Sequence, residues 1–112
     1  MSNFAAKAWL VPALVAAALS GWSAAHADLQ AGRQKAQMCA TCHGPQGLAS
    51  MANTPNLAGQ PEVYLSEQLK HYRSGRRVHE MMTLIAKPLT DDDIQSLALW
   101  YSSQQIELKE KP

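Results

Sequence analysis

Cys39-Ala40-Thr41-Cys42-His43 puts both cysteines of the chain and a histidine within five residues. A C-x-x-C pair serves three chemistries. It can be a dithiol–disulfide redox centre, half of a zinc site or, with His directly after the second Cys, a point of covalent haem attachment. The rest of the chain has to choose among them.

A closed structural zinc site needs four ligands. Cys39, Cys42 and His43 offer three, and side chains adjacent on a helical turn, as Cys42 and His43 are, point about 100° apart. No second cysteine pair exists. Dithiol redox enzymes place their C-x-x-C near a βαβ pattern, and no segment here alternates as a strand does. Haem attachment uses every residue. Cysteines at i and i+3 share one face of a helical turn, so two sulfurs can form thioethers with two vinyl groups on one porphyrin edge. His43, at i+4 from Cys39, can then turn its imidazole to the iron. The expected cofactor is one haem c, covalently bound through Cys39 and Cys42, with His43 as a metal ligand.

The chain around the motif agrees. Met1 to Trp9 carries one basic residue, Lys7, and no acid; Leu10 to Leu19 is apolar, and Ala25-His26-Ala27 is an A-x-A pattern. The apolar run is too short to span a bilayer, so residues 1–27 read as a secretory signal peptide cleaved near Ala27. Residues 28–112 then form one domain, located in the periplasm. It would be membrane-bound only if the leader were retained. Removal of Lys7 leaves Lys and Arg in balance with Asp and Glu, which gives no basis for nucleic-acid binding. A domain this small buries little surface for its length and often leans on a disulfide, metal or cofactor. In an exported chain two cysteines would otherwise be expected to form a disulfide.

The elements read as all-α, three main helices plus a short one. Asp28 to Met38 is a helix running into Cys39, with Asp28 at its N-cap. Gly44 to Gln60 is a loop rich in Gly, Pro, Ser and Asn, and long loops in small domains tend to wrap something. Pro61 opens a second helix with Tyr64, Leu65, Gln68, Leu69 and Tyr72 on one face, and Gly75 ends it. One helical turn is expected near Thr83 to Ala86. Thr90-Asp91-Asp92-Asp93 caps the last helix, whose apolar stripe is Ile94, Leu97, Ala98 and Tyr101. Lys70, His71, Arg73, Arg76 and Arg77 cluster near the end of the second helix. They read as a solvated end matching the helix dipole or as a docking patch for acidic partners. His71 and His79 read as surface residues.

An iron with one His is open, or is closed by a second protein ligand, for which Met is the usual electron-transfer choice. Residues 28–112 offer Met38, Met51, Met81 and Met82. Met38 adjoins Cys39, and Met51 follows His43 too closely to reach the other face easily. Met81 and Met82 lie about forty residues downstream and are better placed.

With these residues assembled, the chain resembles a class I cytochrome c. It is similar to the small bacterial monohaem periplasmic type and to one domain of the periplasmic dihaem cytochromes c. The resemblance rests on AGRQKAQMCATCHGPQG, PNLAGQPEVYLSEQLKHYRSGRR and MMTLIAKPLTDDDIQSLALWYSSQ, in that order. It implies a class I cytochrome c fold, three main helices and a short one wrapped around a covalently bound haem. Cys39 and Cys42 would be the attachment points and His43 the proximal ligand. Pro55 would be the proline whose carbonyl accepts the His Nδ1–H bond. Met82 would be the distal ligand, with Met81 as the alternative. Gly32 would be the small residue where the first and last helices cross, against Tyr101 and Trp100.

Such a protein is a periplasmic single-electron carrier and not an enzyme. Its partners would be redox proteins, a quinol-oxidising complex or dehydrogenase as donor and an oxidase or reductase as acceptor. The alternative is the cytochrome subunit of a periplasmic dehydrogenase complex, for example a sulfur-compound oxidising one. A five-coordinate haem that binds a small gas or peroxide is a third reading, and it requires that no Met–iron bond forms.

Overall fold

The computed structural model describes residues 28–111. The expected signal peptide, residues 1–27, lies outside them. All regular structure among the described residues is helical. Helix α1 covers residues 28–35 and tightens into a 3-10 turn at Ala36–Met38. The short α2 is Ala40–His43, α3 is Glu62–Ser74, α4 is Glu80–Ala86 and α5 is Asp91–Ser102. No helix among the described residues is long and apolar enough to cross a membrane.

Local chemistry sets most of the boundaries. Asp93 N–H donates to Thr90 Oγ1 and Thr90 N–H donates to Asp93 Oδ2, both at 3.0 Å. This reciprocal box satisfies two backbone donors that the first turn of α5 would otherwise leave unpaired. Helix α3 ends at Gly75, whose φ of 80° lies in the left-handed region that glycine enters at no steric cost.

The core is small. Ala36, Leu65, Ala86, Leu89, Ile94, Leu97, Ala98 and Tyr101 form it, and among the described residues Ile94 and Leu97 are the large side chains that are fully buried. Helix α5 supplies four of its members, as the apolar stripe predicts. Helix α3 packs against both α5 and α4.

Several expectations need correction. Gly32 is the close approach between α1 and α5, and Trp100 is beside it as expected, but Ser96 stands where Tyr101 was expected. A β-carbon on Gly32 would stand 2.0 Å from Ser96 O and 2.9 Å from Trp100 Cβ. Tyr101 instead meets the loop: a β-carbon on Gly47 would lie 2.8 Å from its ring. Tyr64 is 46% exposed and does not join the buried face of α3. Helix α4 has seven residues, more than the single turn expected.

The basic cluster is partly structural. Arg73 Nη1 donates to Leu89 O at 2.9 Å and Nη2 pairs with Asp91 at 2.6 Å, which clamps α3 to the start of α5. Arg77 donates to Gln68 Oε1 at 2.8 Å and covers the Tyr72 ring at 4.7 Å. The loop from Gly44 to Gln60 is also well bonded. Gly47 O accepts from Leu57 N–H at 2.7 Å and Ala58 N–H at 3.1 Å, and Gly59 N–H reaches Tyr101 O at 2.9 Å.

Candidate functional site

The motif is one tight helical turn. His43 N–H donates to Cys39 O at 2.9 Å, and Cys42 N–H reaches the same carbonyl at 3.3 Å. These bonds hold Cys39 and Cys42 at i and i+3 on one face. The chain leaves the turn through Gly44, with φ 78°. A β-carbon there would stand 1.9 Å from Leu48 O, so the residue after His43 has to be glycine for the loop to turn back.

His43 is 7% exposed and is the buried polar residue of the fold among those described. Its Nδ1 lies 2.9 Å from Pro55 O. A carbonyl accepts only, so Nδ1 carries the proton and Nε2 keeps the lone pair. That is the tautomer a metal-binding imidazole requires. A bend in the loop brings the acceptor to this place, with Asn53 at φ 62° and Ala49 N–H bonded to Asn56 Oδ1 at 2.7 Å. Pro55 contributes through its backbone oxygen and not its ring.

Both thiols are unbridged and half-buried. Burial pushes the Cys39 thiol above its ordinary value; the Tyr101 hydroxyl beside it pulls the other way and Cys42 adds to the rise. Redox-active C-x-x-C pairs depress a thiol to expose a thiolate, so the direction here argues against a dithiol enzyme. No three His, Cys, Asp or Glu side chains among the described residues converge to hold a metal ion, which argues against zinc. The Tyr101 hydroxyl is buried against the Cys39 sulfur, and burial raises its pKa, with Cys39 adding to the rise. No well-aligned hydrogen bond satisfies it among the described residues.

The structure thus brings Cys39, Cys42, His43 and Pro55 together. Met82 stands on another element, α4, which packs on α3. Of the two methionines there, Met82 is half-buried and Met81 is 55% exposed. Met38 and Met51 are also about half exposed. Two grooves lie elsewhere among the described residues, one beside Lys35, Met38 and Asp93 and one beside Val63, Lys70 and Asp91. Sequence reasoning missed His79, which caps α4 with its ring, because His is not among the usual N-cap residues.

The residues present fit haem c. Two unbridged sulfurs share a face beside an imidazole with a free Nε2 lone pair. The core has only two large, fully buried side chains, while Leu48, Tyr64 and Leu84 remain 46% exposed or more. A large apolar group supplies the packing that so small a core lacks.

Comparison with known proteins agrees. The family model described as Cytochrome C oxidase, cbb3-type, subunit III matches residues 25–100. Cytochrome c4 of Pseudomonas aeruginosa is 37% identical over 87% of this chain and 48% of its own. Cytochrome c-554(548) of Halomonas halodenitrificans is 41% identical over 70% of this chain and 98% of its own. A thiosulfate dehydrogenase electron acceptor of Thiomonas intermedia is 37% identical over 89% of this chain and 43% of its own. The crystal structure of reduced recombinant cytochrome c4 from Pseudomonas stutzeri superposes with a TM-score of 0.66 at 26% identity, covering 70% of this chain and 49% of that one. The chain spans about half the length of the cytochrome c4 relatives it matches. The family match covers well over half of the chain, and c-554(548) is matched along nearly its whole length. The chain therefore belongs to the class I cytochromes c, with one covalent c-type haem.

Proposed function

We propose that the chain is a periplasmic single-electron carrier, freely exchanging between redox partners, with His43 and Met82 as axial ligands. Haem c supplies a one-electron iron couple. The protein holds it by the Cys39 and Cys42 sulfurs. Pro55 O fixes the His43 ring and its tautomer, and burial of that ring keeps water from its nitrogens. Met82 offers a thioether, a ligand that with His raises the potential. Were His43 and Met82 both to hold the iron, no position would be left for a substrate, and bond chemistry would belong to the partners. Donor and acceptor would be, respectively, a quinol-oxidising complex or dehydrogenase and an oxidase or reductase, in short-lived complexes of small area. Residues 1–27 would direct export and be cleaved near Ala27.

The observation that carries this reading is the buried His43 bonded to Pro55 O. Optical spectra of the oxidised and reduced holoprotein test it. A weak far-red ferric band and sharp low-spin reduced peaks are expected, and Met82→Ala should abolish the band. If Met81→Ala abolishes it instead, the ligand is Met81. A high-spin spectrum would overturn the carrier reading.

The likeness to a thiosulfate dehydrogenase electron acceptor favours one further reading, a cytochrome subunit working inside a dehydrogenase complex. Co-purification from the native source separates the two. A stable stoichiometric complex supports the subunit, and isolation of the cytochrome alone supports the free carrier.

A further inference from the structure

Helix α4 has seven residues, too few to stand without support. Its first-turn amides lack partners inside the helix. Two of them, Met81 N–H and Met82 N–H, donate to one atom, His79 Nδ1, at 3.2 and 3.3 Å. His79 has the extended backbone of an N-cap, φ −150° and ψ 135°. The cap is reciprocal: His79 N–H donates to Thr83 Oγ1 at 3.0 Å, and Thr83 N–H returns to His79 O at 2.9 Å. The ring meets Tyr72 edge-on at 6.5 Å, and Tyr72 in turn lies under Arg77. A line of contacts thus runs from α3 through Tyr72 and His79 to the backbone of Met82. His79 is itself exposed, so these bonds rather than core packing are what it contributes.

We propose that His79 is a positioning residue for Met82, its Nδ1 fixing the first turn of α4 so that the methionine is presented to the haem iron. This rests on the assignment of Met82 as distal ligand. Accepting two amides at Nδ1 places the ring proton on Nε2. His79 therefore acts as a cap and not as a ligand.

The test uses ferric holoprotein with wild-type, His79→Ala, His79→Asn and Met82→Ala sequences. Three quantities are read: the far-red band, the affinity for added imidazole, and the exchange rates of the Met81 and Met82 amides in the reduced protein. Loss of an N-cap corresponds to about 1 kcal/mol, so His79→Ala should bind imidazole about fivefold more tightly. It should also show a weaker band and faster exchange at both amides. His79→Asn, a good cap, should restore all three. If Met82→Ala alters band and imidazole affinity while His79→Ala alters neither, the positioning role is overturned and the ligand assignment stands. If His79→Ala has its effect but His79→Asn does not restore it, capping is not the cause and the proposal also fails. A wild-type protein with no far-red band, whose imidazole affinity Met82→Ala leaves unchanged, overturns the ligand assignment and the positioning role together.

Discussion

Gly32 and Trp100 meet so closely that a β-carbon on Gly32 would lie 2.9 Å from Trp100 Cβ, with Ser96 O nearer still at 2.0 Å. Backbone cannot yield as a flexible side chain can. Gly32→Val should therefore cost roughly 1–3 kcal/mol or more, and lower the melting midpoint by about 4–8 °C for each of them. Gly75 is the control, because nothing lies within 4 Å of a β-carbon there. Gly75→Asn, a residue that tolerates the left-handed region, should melt closer to wild type. Thermal melts followed by circular dichroism decide it, and equal losses would mean that the helix crossing is not the tight point.

Arg73 joins α3 to α5 through Leu89 O and Asp91. Arg73→Met should lose on the order of 1–3 kcal/mol, because it leaves a carbonyl without its charged donor. Arg73→Lys should recover only part of this, since an ammonium lacks the two-pronged geometry. The Asp91 end is 76% exposed, so Asp91→Asn should shift stability less than Arg73→Met. Urea unfolding of the three variants ranks them.

Acid should weaken the fold through the start of α5. Asp93 is held below its ordinary value of 3.8 by Thr90 N–H and then by Lys35, and Asp91 by Arg73. Their folded values lie below the unfolded ones. Their contribution is complete above about pH 4 and fades as pH falls through the folded values. Asp93→Ala should cost about 1 kcal/mol at pH 7, and its difference from wild type should shrink below pH 4. A difference that stayed constant down to pH 2 would show that the carboxylate charge plays no part in the cap.

Loss of the cofactor should loosen the whole domain. With only Ile94 and Leu97 as large, fully buried side chains, the protein part has little apolar burial of its own. Cys39→Ser combined with Cys42→Ser should leave no covalent haem on a denaturing gel. In its haem-free form it should melt broadly, without the single cooperative transition of the holoprotein. A sharp melt of the haem-free double variant would show that the protein core suffices.

What the sequence made legible was local. The C-x-x-C-H turn, the Thr90–Asp93 box and the Gly75 stop each lie within a few neighbouring residues, and backbone chemistry decides them. What stayed hidden depends on distant partners. The resemblance puts Trp100 and Tyr101 near a crossing with Gly32, but nothing local in the sequence says which of them meets it. Arg73 carries no mark that α5 will arrive beside it, and Tyr64 shares the spacing of Leu65 while pointing outward. Helix α4 reads short because its cap is an imidazole.

The contact of Gly32 with Ser96, and the 2.9 Å ion pair of Lys35 with Asp93, join the two ends of the domain across most of its length. Helix α5, at 12 residues, is marginal in isolation. Its pairing with α1 closes the long intervening stretch of chain, at a cost in chain entropy. The C-x-x-C-H turn sits directly after the first of these helices. The turn closes on its own backbone bonds, but a chain that stops short of Ser96 lacks the helix against which α1 sets the turn's place in the domain.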